Sequence, residues 1–418
     1  SIQGTDTGVG ISFDIVDNAI LEDCYIDSFA TGIYLGEGGY NSLKDVTVSN
    51  STDEGIFFLS SHNNVLSSIA ASDNQVGIYV QTGCDYTNIS DAVIRNNEND
   101  GLFLTQSSHH NLDNITIHNS ENGLKLFRTS FSNLNNVKIV NSSGRGFSIE
   151  AYSGHNNASL FSINNSGYGF YQSTSSSHNV FSNFDIINTK NHAVSIGTTS
   201  NNNTLQSFTV INSSDIGIYL YQSSNNTLVD NVVRNTSSTG LAIKSESNYN
   251  IFRDINIYGT KNHGIRLGNA QNNILEDIDI SQVQRDGIDI QDSNNNYIYN
   301  SLIANSGWSG IDIAQSSGNN ISGLFVDNSM TNGLTLFSDA NNNQVKNSVF
   351  TNNGNAGIRL WSNSGNSIVN NTACNNYPDI NNQVELSLGD NNTCDTSSGW
   401  NDQGTTGCTY ACTPAVDC

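Results

Sequence analysis

The sequence predicts an all-β solenoid: one parallel β-helix of roughly seventeen coils. Three observations predict it. A glycine followed by an apolar-x-apolar run recurs at Gly10, Gly32, Gly55, Gly77, Gly101, Gly123, Gly146 and Gly169. After Ala193 in the same slot it returns at Gly217, Gly240, Gly264, Gly287, Gly310, Gly333 and Gly357, in steps of 22 to 24 residues. The apolar residues alternate with period two, the period of a strand and not of a helix. Finally, a repeat this short has no room for a helix of about ten residues beside two strands, and the sustained LxxLxL pattern of leucine-rich repeats is missing.

The stretch Asn272 to Ser293 shows the unit. Leu275-x-x-Ile278-x-Ile280 is one strand and Gly287-Ile288-x-Ile290 the next. The residues one and three after each glycine are expected to face the core. The other strand fills it with sets such as Leu43/Val46/Val48, Leu112/Ile115/Ile117 and Leu205/Phe208/Val210. The glycine itself suits a corner that needs positive φ or close packing. Two residues past the second strand runs a polar column that includes Asn50, Asp73, Asn96, Asn119, Asn141, Asn165, Asn188, Asn212, Asn235, Gln282, Asn305, Asn328 and Asn352. It is read as an inward amide ladder that satisfies the backbone at a bend. On that register the sequons at Asn141 and Asn212 are closed to glycosylation, whereas turn sequons such as Asn225 and Asn391 are open. A last turn is expected around Val384-x-Leu386. The division is residues 1–391 for the β-helix and 392–418 for a C-terminal cap.

That cap rests on cysteine usage. Cys374, Cys394, Cys408, Cys412 and Cys418 crowd the end of the chain, while Cys24 occupies an apolar strand slot and Cys84 a turn. A disulfide-stapled cap implies an oxidising, extracellular setting. A zinc site is the rival, since Cys408-x-x-x-Cys412 has tolerable spacing, but no histidine follows Cys374 and four thiolates would be needed. The odd total of 7 leaves at least one thiol free or paired between chains.

Composition narrows the function. Only 13% of the 418 residues are charged, 36% are hydrophobic, and the formal charge is −23 with 15 basic residues. That field repels phosphate backbones, so nucleic acid is not an expected partner. No run approaches the roughly 18 apolar residues of a membrane helix. Ser1 reads as a mature or trimmed start. Calcium motifs of the GGxGxD type are missing, and no cofactor is expected.

The repeated N-x-[IVL]-x-x-N-x-[IVL]-x-x-N…G-[IL]-x-[IL] pattern is illustrated by Asn226-Thr-Leu228-Val-Asp-Asn231-Val-Val233-Arg-Asn235 with Gly240-Leu-Ala-Ile243. Over about residues 10 to 390 it resembles the right-handed parallel β-helix repeat of the pectate-lyase-like superfamily. It is most similar to surface proteins of that type, including the NosD-like copper-site assembly family. The resemblance implies a right-handed coil and, in members that cleave or epimerise polysaccharides, carboxylates and a basic residue on an outer sheet face. The NTD, DD, GHG and RIK blocks of polygalacturonases and the DPHE-type block of alginate epimerases are missing here.

The closest approach to such chemistry is the outward column two residues after the glycine. It holds Arg266, Asp289 and Asp312 on consecutive coils, flanked by Asp286 and Asp292. Carboxylates one rung apart can share a proton, and an arginine can act as base or clamp; an exposed ion-pair ladder is the plain alternative. Earlier the same column carries Tyr34, Phe57, Tyr79 and Phe103, and later Tyr171 and Tyr219, a stripe that suits a protein seam or a sugar surface. His62, His110, His155 and His178 precede turn asparagines and are expected to be solvated, although His155 and His178 on neighbouring coils could bridge a metal.

These features favour an extracellular structural or surface-binding protein that assembles with itself. The stripe and the lack of a cover before Gly10 point to a second copy as partner. The alternatives are a carbohydrate-active enzyme or glycan-binding module, with a cell-surface glycan as partner, and metal delivery of the NosD type.

Overall fold

The computed structural model describes residues 1–384 and 387–412; Leu386 of the expected last turn and Cys418 lie outside them. All helix and strand among the described residues is strand. Adjacent coils pair in parallel, as a solenoid requires. The chain divides into two units, Ser1–Ser213 and Ser214–Cys418.

In the first unit the long strands begin with Ile20–Asp27, Ser42–Ser49 and Val65–Ser72 and stack rung on rung, Leu43 against Leu66 and Val46 against Ile69. The glycine-led strands do the same: Thr31–Gly36 lies on Glu54–Leu59, with Ile33 beside Ile56 and Tyr34 beside Phe57. Stacking places like on like. Its consequence inside is a pile of phenylalanines, in which Phe161, Phe184 and Phe208 lie 4.6 Å apart centroid to centroid and are buried. Offset ring pairs at this spacing add to the burial of each ring.

In the second unit the coils from Tyr297 onward resolve into three strands, for example Tyr297–Tyr299, Leu302–Ser306 and Ile311–Ala314. Its core is mainly aliphatic, with Ile278, Ile280, Ile288, Ile290, Ile303 and Ile313 all buried. The glycine column is a matter of space and not of φ. A Cβ on Gly287 would stand 2.4 Å from Ile303 Cγ2 and 2.6 Å from the Gly310 carbonyl oxygen.

The amide column was expected to point inward, and the structure turns it around. Asn305, Asn328 and Asn352 have φ of 55°, 54° and 54° and are exposed. A left-handed residue interrupts the in–out alternation of a strand, so counting by twos fails across it; asparagine is among the few L-residues that adopt it readily. The outward amides still form a ladder: Asn141 donates to Asn119 at 2.9 Å, and Asn212 to Asn188 at 3.1 Å. Asn141 and Asn212 are therefore surface residues, and the expectation that their sequons are closed is withdrawn. Asn225 and Asn391 are exposed as well.

The inward ladder is a different column. In the second unit Asn226, Asn250, Asn273, Asn296, Asn319, Asn343 and Asn366 run without a break, each backbone N–H donating to the next side-chain oxygen at 2.8 to 2.9 Å. In the first unit the same column reads Asn41, Asn64, Thr87, His110, Ser132, Asn156 and Asn179. His110, expected to be solvated, is thus buried in a ladder slot. Its Nε2 lies 2.8 Å from Ser107 Oγ, and burial lowers its pKa to about 4. Cys84 fills a slot in a parallel serine column; its sulfur accepts from Ser61 N–H, and burial pushes the thiol up to about 11. Cys24 is half-buried, and neither cysteine is paired.

The C-terminal cysteines form two disulfides, Cys374–Cys412 and Cys394–Cys408. Two buried carboxylates organise the chain between them. Asp379 accepts from the backbone N–H groups of Asn376, Asp395 and Thr396. Asp402 accepts from those of Asn392 and Thr409 and from the Trp400 indole.

Candidate active site

The glycine-led strands of the second unit include Leu241–Lys244, Ile265–Gly268, Ile288–Gln291, Ile311–Ala314 and Leu334–Phe337. Their inward residues are locked in the core, so the residue between them must face out. Register puts Ala242, Arg266, Asp289, Asp312 and Thr335 side by side on successive rungs, about 4.8 Å apart. The three residues singled out from the sequence are therefore brought together.

Two more residues join them from the position just before the glycine. His263 and Asp286 occupy it on adjacent rungs, both buried. His263 Nδ1 lies 3.2 Å from Asp286 Oδ2, and its Nε2 lies 3.8 Å from Asp289 Oδ2. Arg266 Nε stands 3.0 Å from the same Asp289 oxygen, and its guanidinium donates to Gln291 at 3.1 Å. The Ser309 N–H donates to Asp286 at 2.9 Å. Asp292, expected to flank the group, is exposed on the following turn and takes no part. Asp286 had been noticed in the sequence, but His263 had not. Its signal was its place before a glycine on the coil that supplies Arg266.

Electrostatics separate the two central carboxyls. Burial raises the Asp289 pKa above the usual carboxylate value, and His263 and Arg266 oppose that rise in part. Asp312 has no such cation. Burial first, then Asp286 and Asp289, push it up to about 8. The geometry thus places a carboxyl without a cation one rung from a carboxyl paired with a guanidinium. That is an acid and a base set apart by their surroundings. Lys244 at the edge of the group is lowered by burial and then by Arg266.

The aromatic stripe lies in the first unit and is half-buried. Centroids of Tyr34 and Phe57 are 5.7 Å apart, of Phe57 and Tyr79 5.3 Å, and of Tyr79 and Phe103 4.9 Å. Lys125 closes the stack, 4.7 Å from Phe103. Both faces of Tyr79 are taken by neighbours. Tyr171, farther along, has Arg145 at 3.9 Å over its ring. Tyr219 belongs to the second unit, tilted against Tyr221 at 6.0 Å. His155 and His178 stack in parallel at 5.0 Å, which does not converge their nitrogens. Among the described residues no group of three or more His, Cys, Asp or Glu is placed to hold a metal ion. No helix among them is long and apolar enough to cross a membrane.

Residues 2–143 and 243–398 match the family described as right handed beta helix region. These stretches are well over half of the chain, which therefore belongs to that family. No curated protein sequence matches it. Solved structures similar to it include the periplasmic alginate epimerase AlgG, at 13% identity and a TM-score of 0.44 over 72% of this chain and 77% of that one. Another is the A-module of the Azotobacter vinelandii mannuronan C-5 epimerase AlgE6, at 13% and 0.47 over 89% and 91%. A third is tailspike protein 3 of bacteriophage CBA120, at 9% and 0.39 over 87% and 57%. Likeness at this level leaves each residue's role to the geometry of this chain.

Proposed function

We propose that the glycine-led face of the second unit is a site for acid–base chemistry on a glycan, in a protein that works outside the reducing cytosol. The observation that supports it is the pairing of Asp312 with Asp289 on adjoining rungs, one without a cation and the other held by Arg266 and His263. Paired carboxyls of unlike state are the recurring means of breaking glycosidic bonds. In this reading neutral Asp312 donates its proton to the leaving oxygen. Anionic Asp289 serves as base or nucleophile, Arg266 clamps the substrate, and His263 with Asp286 positions Asp289. An open sheet face also suits a polymer better than a small molecule, and the disulfides suit an oxidising compartment. Incubation with a panel of neutral and acidic polysaccharides tests it, read as new reducing ends and as absorbance of unsaturated products. Activity on one of them that falls at least about a hundredfold in Asp312→Asn and Asp289→Asn supports the reading. Activity on none of them, or activity indifferent to both substitutions, overturns it.

A second reading, self-assembly as a surface element, is favoured by a ridge of rings on the first unit. Tyr86, His109, Phe131 and His155 stack at 4.7 to 5.3 Å, with Phe131 51% exposed. Sedimentation tests it. Species much larger than 45.1 kDa that shrink in Phe131→Lys support it, and a monomer at micromolar concentration removes it.

A further inference from the structure

Beside the acid–base group the second unit carries a groove that the proposed chemistry does not use. It has a volume of about 790 Å³ and is lined by Trp308 and Met330 and by the amides of Gln282, Asn305, Asn328 and Asn352. Its origin is local. On successive coils one turn position reads Gln284, Gly307, Met330 and Gly354. Glycine on either side of Met330 removes the side chains that would fill the space. A Cβ on Gly307 or Gly354 would stand 2.3 or 2.2 Å from the carbonyl oxygen of the coil before it, so the two positions hold the chain close and the surface low.

Trp308 forms the wall. Its ring is 49% exposed, unusual for so large an apolar group, and Arg285 lies 4.2 Å from the ring centroid, which holds the indole in place. Opposite it stands the outward amide ladder. Asn328 donates to Asn305 at 2.7 Å, which leaves the Asn305 amine and the Asn328 carbonyl to pair with hydroxyl groups. None of the residues lining the groove is charged, in a chain whose net charge is −23. An aromatic wall facing a row of amides suits the apolar face and the hydroxyl edge of a sugar ring. Arg285 is engaged with the indole and no lining residue is charged, so within the chain's negative field a neutral ring is favoured over a uronate. The groove also adjoins the chemistry: Trp308 precedes Ser309, whose N–H donates to Asp286.

We infer that this groove is a subsite for a neutral hexose residue of a polysaccharide, seated against Trp308, on the turn that leads into the Asp286–Asp289 group. The inference rests on the glycan reading of that group for its ligand class and adds which glycans: uncharged ones.

Calorimetric titration of the full chain with cellohexaose, laminarihexaose, mannohexaose and xylohexaose, and with hexagalacturonate as the charged counterpart, tests it. Saturable binding of at least one neutral hexaose is expected, with none of the uronate. Trp308→Ala and, separately, Asn328→Ala should weaken it by about tenfold or more. Trp308 is exposed, so Trp308→Ala should keep the melting temperature; Asn328→Ala gives up a ladder bond at a φ of 54° and should melt lower, and an unchanged circular dichroism spectrum reports its intact fold. Binding that is undiminished in both variants, binding of the uronate alone, or no binding of any neutral hexaose overturns the inference. Asp312→Asn separates the two readings. Binding kept in that variant while the wild type turns nothing over leaves the subsite standing and removes the acid–base chemistry. Turnover lost in Asp312→Asn but unaffected by Trp308→Ala and Asn328→Ala does the reverse.

Discussion

The two units build the same coil from different materials. The first packs stacked phenylalanines inside, interrupts its inner ladder with Thr87, His110 and Ser132, and shows stacked rings on its outward column. The second has a mainly aliphatic core, an unbroken inner ladder and a charged outward column. The difference teaches that core and ladder carry the fold, while the outward column is free to vary. Where the interior is most regular, the glycine-led face holds groups that are hard to bury: His263, Asp286, Asp289 and Asp312. Regular rungs fix their spacing, and a site built on rigid strands keeps its geometry better than one on loops.

The largest way to break the comparison is through the cores. Ile288→Asp places an unpaired carboxylate in a fully buried slot of the second unit, which costs several kcal/mol. Phe184→Ala in the first unit removes a ring stacked on both sides and should cost about 3 to 5 kcal/mol. Thermal melts with residue-resolved hydrogen exchange check both. Each variant should lose protection first in its own unit. Normal stability of Ile288→Asp would overturn the inward assignment of that position.

The repeat, the parallel strands, the core positions and the cysteine-stapled end were legible in the sequence, because like residues recur at a fixed step. The trio Arg266, Asp289 and Asp312 was legible for the same reason, being three entries in one column. The direction of the asparagines was not. A left-handed residue at Asn50 or Asn212 looks like any other polar residue in a string of letters, yet it reverses every assignment after it until the next strand. His263 was lost in a similar way: the column before the glycine mixes polar residues with Val9, Val76, Ile216 and Ala356, and only the packed register shows that this member meets Asp286 and Asp289. The groove at Trp308 depends on what Gly307 and Gly354 leave out, which no apolar pattern records.

A smaller effect sharpens the contrast between ladders. Asn296 accepts from Asn273 N–H at 2.9 Å, and its amide donates to the Ala270 carbonyl at 3.0 Å, all of it buried. Asn296→Ala strands both of those groups and should cost about 2 to 4 kcal/mol. In the first unit Ser132 Oγ accepts from His110 N–H at 3.1 Å and donates to the Ser130 carbonyl at 3.3 Å, a short local link whose loss in Ser132→Ala should cost about 1 to 2 kcal/mol. Urea titration of the two variants gives the comparison. Equal losses would mean that the amide ladder adds nothing to the second unit beyond an ordinary turn contact.

The last effect is one of pH. The folded pKa of Asp312 is raised from 3.8 to about 8 by burial and by Asp286 and Asp289, so the folded state binds a proton that the unfolded state gives up. The stability tied to the neutral carboxyl is complete below about pH 4 and is lost as the pH climbs through about 8. Asp312→Asn keeps the shape and cannot ionise. Its melting temperature should match the wild type near pH 4 and exceed it increasingly toward pH 8, while any turnover disappears. A gain in stability together with a loss of function is the behaviour of a group held for chemistry and not for folding. Parallel melting curves across that range would mean that Asp312 ionises freely, and the contrast between the aromatic column of the first unit and the charged column of the second would then be one of surface composition alone.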